Sequence, residues 1–296
     1  MTSWQRAYGR SAVWFLLPAG LLLALFVIWP LLRAAYFSFH EADLLRVERQ
    51  QFVGLENYSE LLTDQRFRRA FANTALFALL VVPLQSVLAF LLALWVHRPE
   101  PAYRVLQGVF FVPAVVSMPV LSVLWTLLYQ PGSGSEMGFI NAALVGMSLP
   151  PQAFLRDPGQ ALSAIAVMSI WQGVGLQMLV FLAGLRSLPR ESWEAARLDG
   201  ANAWQRTLYI TLPALRNSWV FVITITTILA FRLFVQPYLM TRGGPENSTL
   251  SLVQNIYEMT FVTQELGRAC AASILLLTWV GLITLLQRRF LSEEQA

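Results

Sequence analysis

Six long apolar segments constrain the fold of this chain more than any other feature. A helix needs about 20 apolar residues to cross the hydrocarbon core of a membrane, and each segment is close to that length or longer. Only 13% of the residues are charged, which is roughly half the share found in soluble domains. The sequence therefore predicts an all-α integral membrane protein with six transmembrane helices. Their predicted ranges are 12–39, 70–96, 105–129, 161–185, 217–240 and 269–287.

The first apolar segment predicts that the N-terminal region is retained. Its apolar run is longer than the ~7–15 residues in the core of a cleaved signal peptide, so we expect an uncleaved membrane anchor. The predicted organisation is a cytoplasmic segment at 1–11, a six-span domain at 12–287 with a long loop at about 186–216, and a cytoplasmic tail at 288–296.

The arginines predict the orientation of the spans. Membrane proteins carry more basic residues in cytoplasmic loops than in outer loops. With both termini in the cytoplasm, the inside segments hold 11 arginines in 58 residues and the outside segments hold 8 in 89. Arg66, Arg68 and Arg69 oppose this orientation, because they lie just outside the second span. We expect a multi-pass protein of the inner membrane with both termini in the cytoplasm.

The types of charged residue exclude several functions. All 21 basic residues are arginines, so the chain has no lysine for a P-loop that binds ATP. The arginines are scattered and form no nucleic-acid patch. None of the six spans contains Asp, Glu or His, which carriers that work alone use as proton relays or ion sites. If the protein moves a solute uphill, another subunit must therefore supply the energy.

The loop between the fourth and fifth spans contains the strongest motif. Pro189 suits the first turn of a helix, and Gly200 permits the positive φ that ends one. A second short helix is expected before the next span begins at Pro213. Such a short, rigid helix pair suits a mechanical contact better than catalysis. The motif residues are Glu194-Ala195-Ala196, Gly200 and Ile210-Thr211-Leu212-Pro213.

This motif resembles the EAA loop of ABC-importer permeases. In that family the loop forms the coupling helix, which docks into a cleft on the ATPase subunit. The alternative is an amphipathic helix that lies on lipid, but Arg197, Asn202 and Gln205 leave no wide apolar face for it. The docking residues that the resemblance implies are Glu194, Ala195, Ala196, Asp199, Gly200, Ala201 and Arg206.

Other segments narrow the resemblance to one branch of that family. Residues 241–249 contain Gly243-Gly244-Pro245 between two threonines and resemble the T-x-GGP-x-x-x-T segment of maltose-type sugar permeases. Residues 54–58 and Asn73-Thr74 match as well, so the resemblance runs nearly end to end. It implies a heterodimer with a sibling permease, two P-loop ATPases that bind ATP and Mg²⁺, and an extracytoplasmic solute-binding protein. It implies no cofactor, metal or catalytic residue on this chain.

The fourth and fifth spans contain groups that suit a solute site near the membrane midplane. Amides, hydroxyls and aromatic faces bind sugars, and the resemblance points to the same spans. For Gln172 and Gln177 the alternative is hydrogen bonding between helices, and for Gly173 and Gly175 it is close packing. The candidate solute-path residues are Trp171, Gln172, Gln177, Thr227, Arg232, Gln236 and Tyr238.

Arg232 has two interpretations that the sequence leaves open. It lies in the second half of the fifth span, where an unpaired charge costs at least about 2.5 kcal/mol. No acidic residue of the six spans can pair with it. It either reaches the membrane surface, backbone carbonyls or a carboxylate of the sibling subunit, or it contacts an anionic or heavily hydroxylated solute.

Together these features predict the permease subunit of an ATP-driven, solute-binding-protein-dependent importer. It would move a disaccharide or oligosaccharide by alternating access and catalyse no reaction itself. A glycerophosphodiester or another anionic polyol is the alternative solute. The alternative functions are a stand-alone secondary carrier, which lacks a coupling-ion site here, and a membrane enzyme, which lacks a recognisable nucleophile and base.

Overall fold

The computed structural model describes residues 15–46, 48, 50–132 and 134–292. Within these residues, five helices are long and apolar enough to cross a membrane, and a bent pair of helices brings the number to six if the pair is one span. The described chain has one small hairpin, formed by β1 (His40–Glu41) and β2 (Gln51–Phe52). The all-α membrane fold predicted from the apolar segments is confirmed.

The spanning helices follow the predicted segments closely. Residues 12–14 of the first predicted span lie outside the described residues. The helices are α1 (Phe15–Phe37), α3 (Gln65–Val96), the bent pair α4 (Pro101–Val115) and α5 (Met118–Leu128), α7 (Ala161–Arg186), α11 (Arg216–Phe231) with α12 (Val235–Met240), and α14 (Leu266–Ser292).

Shorter helices lie in the connections between the spans. They are α2 (Glu56–Thr63), α6 (Phe139–Gly146), α8 (Arg190–Leu198), α9 (Ala203–Arg206), α10 (Leu212–Ala214) and α13 (Leu252–Phe261). Single 3₁₀ turns occur at Gly134–Glu136 and Phe154–Arg156, and π-helical turns occur at Ala24–Ile28 and Thr207–Thr211.

The third span is not the single helix that the sequence predicts over 105–129. α4 and α5 meet at an angle of 98°. Pro119 explains the break, because in a continuous helix its ring would clash with the carbonyl of Val115 and it has no N–H to donate. Val116 and Ser117 are accordingly extended, with ψ of 137° and 139°. The expectation of a continuous third helix is therefore wrong.

The chain divides into two compact units, and the smaller one contains α1, the hairpin, α2 and Ile256–Leu277. Its charged centre is Arg268. The guanidinium lies 2.8 Å from the carboxylate of Glu265, 3.1 Å from that of Asp64 and 3.5 Å from that of Glu60. These partly exposed ion pairs connect the end of α2 to the start of α14, and pairs of this kind stabilise a fold only modestly.

The larger unit contains Gln65–Asn255 and the chain from Thr278 onward, and its centre is the packing of α7 on α3 and α4. A methyl group added at Gly175 of α7 would overlap the carbonyl of Phe110 in α4. Small residues at such places let helix backbones approach closely. The close-packing alternative for Gly175 is therefore confirmed. The buried core beside it is formed by Ala89, Phe90, Ala93, Val96, Val174, Met178, Phe181, Leu182, Leu185, Leu215 and Val222.

Candidate functional site

Residues 186–216, here the EAA loop, connect α7 to α11. Pro189 is the N-cap of α8. The sequence predicts it in the first helical turn, so it lies one residue earlier than predicted. Gly200 ends the helix with a φ of 79°, as predicted. Asn202 then begins α9 with a capping box: its Oδ1 accepts from the N–H of Gln205, and Gln205 Oε1 accepts from the N–H of Asn202, each at 2.8 Å. Local signals therefore position both helices of the loop.

The loop continues directly into the fifth span. A π-helical turn at Thr207–Thr211 and the short helix α10 precede α11, which begins at Arg216. Pro213 lies in α10, three residues before that start. The predicted second short helix and the entry to the span near Pro213 are both present.

The residues predicted to dock an ATPase lie at the surface of the EAA loop. Exposure leaves them available to a partner, although their contact with an ATPase stays a prediction. Those that are exposed are Glu194, Ala195, Asp199 and Gly200, and those that are partly exposed are Ala196, Ala201 and Arg206.

The same loop exposes three apolar side chains that sequence reasoning missed. Leu198, Trp204 and Tyr209 are all exposed. The sequence contains only a weak signal for them, because single apolar residues among polar ones equally suit the buried face of a short helix.

Gln177 connects the two helices that lead into and out of the EAA loop. It is buried in α7, and its Nε2 donates to Thr226 Oγ1 of α11. Thr226 Oγ1 donates in turn to the carbonyl of Val222 at 2.6 Å. Gln177 Oε1 has no hydrogen-bond partner among the described residues. The structure therefore places Gln177 in an interhelix hydrogen bond, and its contact with solute stays a prediction.

Thr227 forms a second link of the same kind. Its Oγ1 accepts from Gln287 Nε2 of α14 at 2.8 Å and donates to the carbonyl of Ile223 at 2.8 Å. Gln287 was not among the predicted residues. Its only signal in the sequence is an amide at the end of the sixth apolar segment, where a polar residue is expected in any case.

The aromatic candidate of the fourth span lies beside the bent third span. The ring of Trp171 is 5.4 Å from the ring of Trp125 in α5, centroid to centroid. Trp171 is exposed and Gln172 is partly exposed. Both predicted residues therefore remain accessible on the described chain.

The two candidates in α12 make different contacts. Gln236 Nε2 lies 3.5 Å from Ser169 Oγ of α7, the outer limit of a hydrogen bond. The ring of Tyr238 stacks on Phe234, with centroids 5.1 Å apart. Thus Gln236 faces the fourth span, whereas Tyr238 packs within its own segment.

Arg232 lies in a break of the fifth span. It directly follows α11, and α12 begins three residues later, at Val235. Its side chain is exposed. No described residue forms an ion pair or a side-chain hydrogen bond with its guanidinium, whereas its backbone N–H lies 3.2 Å from the carbonyls of Ile228 and Leu229. Within the described chain, the guanidinium is therefore available to a ligand or another subunit.

Residues 241–252, here the GGP segment, follow α12. Gly243 is buried with a φ of 84°. Asn73 of α3 binds this segment through its side-chain amide. Its Nδ2 donates to the carbonyls of Asn247 at 2.8 Å and Leu250 at 3.0 Å, although these residues are 174 and 177 positions away along the chain. The Asn73-Thr74 and GGP motifs, which the sequence shows separately, are thus parts of one structure.

The chemistry of these residues is that of non-covalent binding. The groups brought together are amides, hydroxyls, aromatic rings and one guanidinium. Among the described residues, no group of three or more His, Cys, Asp or Glu side chains could hold a metal ion. The arrangement suits recognition and mechanical coupling.

Comparisons with known proteins agree with this description. The chain is 30% identical to an sn-glycerol-3-phosphate transport system permease protein of Pectobacterium atrosepticum, over 94% of this chain and 92% of the relative. It is also 30% identical to a lactose transport system permease protein of Rhizobium radiobacter, over 97% of this chain and 95% of that relative.

The fold is also similar to that of a solved transporter. A chain in the crystal structure of a bacterial ABC transporter involved in the import of the acidic polysaccharide alginate superposes with a TM-score of 0.84 and 21% identity, over 99% of this chain and 98% of that one. Residues 85–292 match the family model described as binding-protein-dependent transport system inner membrane component. The chain therefore belongs to that family, the ABC-importer permeases that its EAA and GGP motifs indicate.

Proposed function

We propose that this permease imports a carbohydrate, a disaccharide or oligosaccharide, which a solute-binding protein delivers on the outer side of the membrane. The family description, which names binding-protein-dependent transport, supports the delivery step. The lactose and glycerol-phosphate permeases among its relatives support a polyhydroxylated solute. The amides, hydroxyls and aromatic rings of α7, α11 and α12 suit such a solute, because a few placed polar groups orient a ligand in a site.

The exposed and locally rigid EAA loop is the observation that carries the proposal. A loop that keeps its shape through its own caps can transmit a push from a partner. The chain has no lysine and hence no P-loop of its own. The proposed partners are therefore a sibling permease and two P-loop ATPases, which bind ATP and Mg²⁺. This chain is the non-catalytic transport subunit and binds no cofactor.

In this proposal the EAA loop and both termini face the cytoplasm. The higher arginine density of the corresponding segments supports that orientation. The GGP segment is separated from the EAA loop by one span, so it lies on the outer side. Membrane lipid surrounds the spans, and no nucleic acid takes part.

The proposed mechanism is alternating access. Closure of the ATPases on ATP pushes α8 and α9. Since α7 and α11 continue directly from the EAA loop, and Gln177 is hydrogen-bonded to Thr226 between them, the push displaces both helices together. Their rocking opens the polar residues of α7 and α12 first to one side of the membrane and then to the other.

The test is co-purification of the permease in mild detergent from its host, with native mass spectrometry of the complex. Wild-type protein should recover a second permease and two P-loop ATPases. Glu194→Arg, which reverses a charge in the EAA loop, should lose the ATPases and keep the second permease. Glu136→Arg is the matched control, because Glu136 is exposed and lies in a connection that this proposal places on the outer side. Recovery of ATPases with Glu194→Arg at the level of Glu136→Arg would overturn the docking role of the loop.

An anionic carbohydrate is the second candidate solute, and Arg232 is the observation that favours it. The guanidinium is exposed at a helix break and has no acidic partner among the described residues. Guanidinium groups bind phosphate and carboxylate through strong charge-assisted hydrogen bonds. The glycerol-phosphate permease among the relatives is consistent with such a solute.

Uptake measurements with Arg232→Gln separate the two candidates. Cells expressing the importer are given radiolabelled sn-glycerol-3-phosphate or lactose as probes of the two classes. If the solute is anionic, the concentration for half-maximal uptake should rise by about tenfold or more in Arg232→Gln. Arg156→Gln, which removes an exposed arginine outside the predicted path, should change it by less than about twofold. Unchanged uptake in Arg232→Gln would exclude the anionic solute.

A further inference from the structure

The break in the fifth span leaves one buried carbonyl without its helical donor. In a continuous helix, the carbonyl of Leu233 would accept from the N–H of residue 237. That residue is Pro237, which has no N–H. Leu233 is buried, and a buried backbone carbonyl needs a hydrogen-bond partner. Another part of the chain must therefore supply a hydrogen bond to this carbonyl.

Ser251 supplies that hydrogen bond. Its Oγ donates to the carbonyl of Leu233 at 2.6 Å, and it accepts from the backbone N–H of Gln254 at 3.2 Å. Ser251 belongs to the GGP segment, not to the fifth span, and it is completely buried. The donor that completes the broken helix therefore comes from the loop that follows it.

Two neighbouring residues of α3 hold Ser251 in place. Thr74 Oγ1 accepts from the backbone N–H of Leu252 at 2.9 Å, and Asn73 Nδ2 donates to the carbonyl of Leu250 at 3.0 Å. These bonds fix the residues immediately before and after Ser251. A continuous series of hydrogen bonds thus runs from α3 through the GGP segment to the break.

We propose that Asn73, Thr74 and Ser251 are positioning residues that hold the break in the fifth span, and thereby set the directions of Arg232 and Gln236 in the solute path. This gives the Asn-Thr and GGP motifs one shared function. The part that concerns solute rests on the proposed function. The hold on the break does not, and it can be measured without solute.

The test measures how fast residue 232 reacts when it is a cysteine. Arg232→Cys is made in a Cys270→Ala background, which removes the only native cysteine of the chain. The complex in host membranes is treated with a water-soluble maleimide, and modification at 232 is followed by mass spectrometry. Adding Ser251→Ala to this chain should change the rate of maleimide modification at residue 232 by about fivefold or more. The reason is that the buried carbonyl of Leu233 would lose its donor, and an unsatisfied buried carbonyl favours local opening.

The matched control is Ser122→Ala. Ser122 is as completely buried as Ser251, but its hydroxyl bonds only to the carbonyl of Met118 in its own helix. This control should leave the rate within about twofold of the parent. A rate in Ser251→Ala equal to that in Ser122→Ala would overturn the proposal.

A second pair of variants keeps the test decisive if Ser251→Ala does not accumulate in the membrane. Thr74→Val keeps the shape of the side chain and removes the acceptor of the Leu252 N–H, whereas Thr74→Ser retains the oxygen. The valine variant should reproduce the change in rate at 232, and the serine variant should retain the parent rate. Equal rates for both would show that Thr74 does not hold the break.

Uptake distinguishes the hold on the break from its role in transport. In chains that retain Arg232, Thr74→Val should raise the concentration for half-maximal uptake by a larger factor than it lowers the maximal rate. Altered labelling at 232 with unaltered uptake would overturn the positioning of solute and leave the hold on the break standing. If the EAA loop proved not to dock an ATPase, only the importer proposal would be overturned. The labelling of residue 232 would still test the hold on the break, because it requires neither ATP nor solute.

Discussion

The EAA loop and the GGP segment lie at the two ends of the fifth span, and they are built in opposite ways. In the EAA loop, the capping hydrogen bonds between Asn202 and Gln205 close within three residues. In the GGP segment, the carbonyls of Asn247 and Leu250 are bound by Asn73, which is 174 and 177 residues away along the chain. α9 of the first is capped by local bonds alone, whereas the second also needs hydrogen bonds from a distant helix.

Burial differs between the two regions in the same sense. Leu198 of the EAA loop is 89% exposed, whereas Leu250 of the GGP segment is fully buried. A surface that meets a partner must keep its shape while exposed, and local caps achieve this. A segment that satisfies the carbonyl of a broken helix must itself be buried, because that carbonyl belongs to the buried Leu233. The comparison teaches that each loop uses the interactions its environment permits.

The largest expected difference is between these two leucines. Leu250→Ala leaves a cavity and should lower the free energy of unfolding by about 2–4 kcal/mol. Leu198→Ala removes an exposed side chain and should change it by less than about 0.5 kcal/mol. Thermal unfolding of the purified complex in mild detergent measures both variants. Equal unfolding midpoints would break the comparison, because the GGP segment would then contribute no more than the EAA loop.

Two glycines provide a sharper comparison, because both have a positive φ. Gly200→Ala meets nothing within 4 Å, so its cost is the left-handed backbone alone, about 1–2 kcal/mol. Gly243→Ala adds a Cβ 2.9 Å from Nε2 of the buried Gln254, and this crowding adds about 1–2 kcal/mol. The fraction of monodisperse protein that remains after heating should therefore be lower for Gly243→Ala. The opposite order would contradict the difference in packing.

Asn73 tests whether distant hydrogen bonds hold the GGP segment. Asn73→Ala should lower the free energy of unfolding by about 1–3 kcal/mol, because the carbonyls of Asn247 and Leu250 each lose the hydrogen bond from the Asn73 amide. Asn73→Asp keeps the shape but has no amide donor, so its effect should be at least as large. Hydrogen exchange of the amides in 247–252 should be faster in both. An aspartate variant with wild-type exchange would contradict the role of the amide.

The smallest effect is expected from Asn202→Ala. Loss of the capping box should cost about 0.5–1 kcal/mol within the EAA loop. Hydrogen exchange should become faster in Ala203–Arg206, where the cap acts. Amides of the GGP segment serve as the internal control and should exchange as before. Faster exchange in both regions would show that the EAA loop is coupled to distant contacts and is not local.

Sequence reasoning succeeded where hydropathy or a local signal decides the structure. The fourth span is observed at Ala161–Arg186, one residue longer than predicted, because a long apolar segment leaves few alternatives to a membrane helix. Gly200 ends α8 as expected, because only its own backbone conformation is involved.

It failed where a single residue changes the geometry or where contacts are distant. Pro119 was visible in the third span, but hydropathy does not register the 98° bend that it permits. For Gln177 the sequence left a solute contact and an interhelix hydrogen bond open, and only the structure shows the bond to Thr226 of another helix. Gln287 gave no signal, because its partner Thr227 is 60 residues away along the chain.

The sequence by itself determined the membrane class, the six crossings, the EAA loop and the family resemblance. Each depends on the length of an apolar segment, on local caps or on a short motif. Only the tertiary structure decided that Asn73 and Thr74 hold the GGP segment, that Ser251 completes the break in the fifth span, and that Arg232 is exposed there. The physical reason is that a carbonyl freed by Pro237 must find a donor, and only the packed helices determine which residue supplies it.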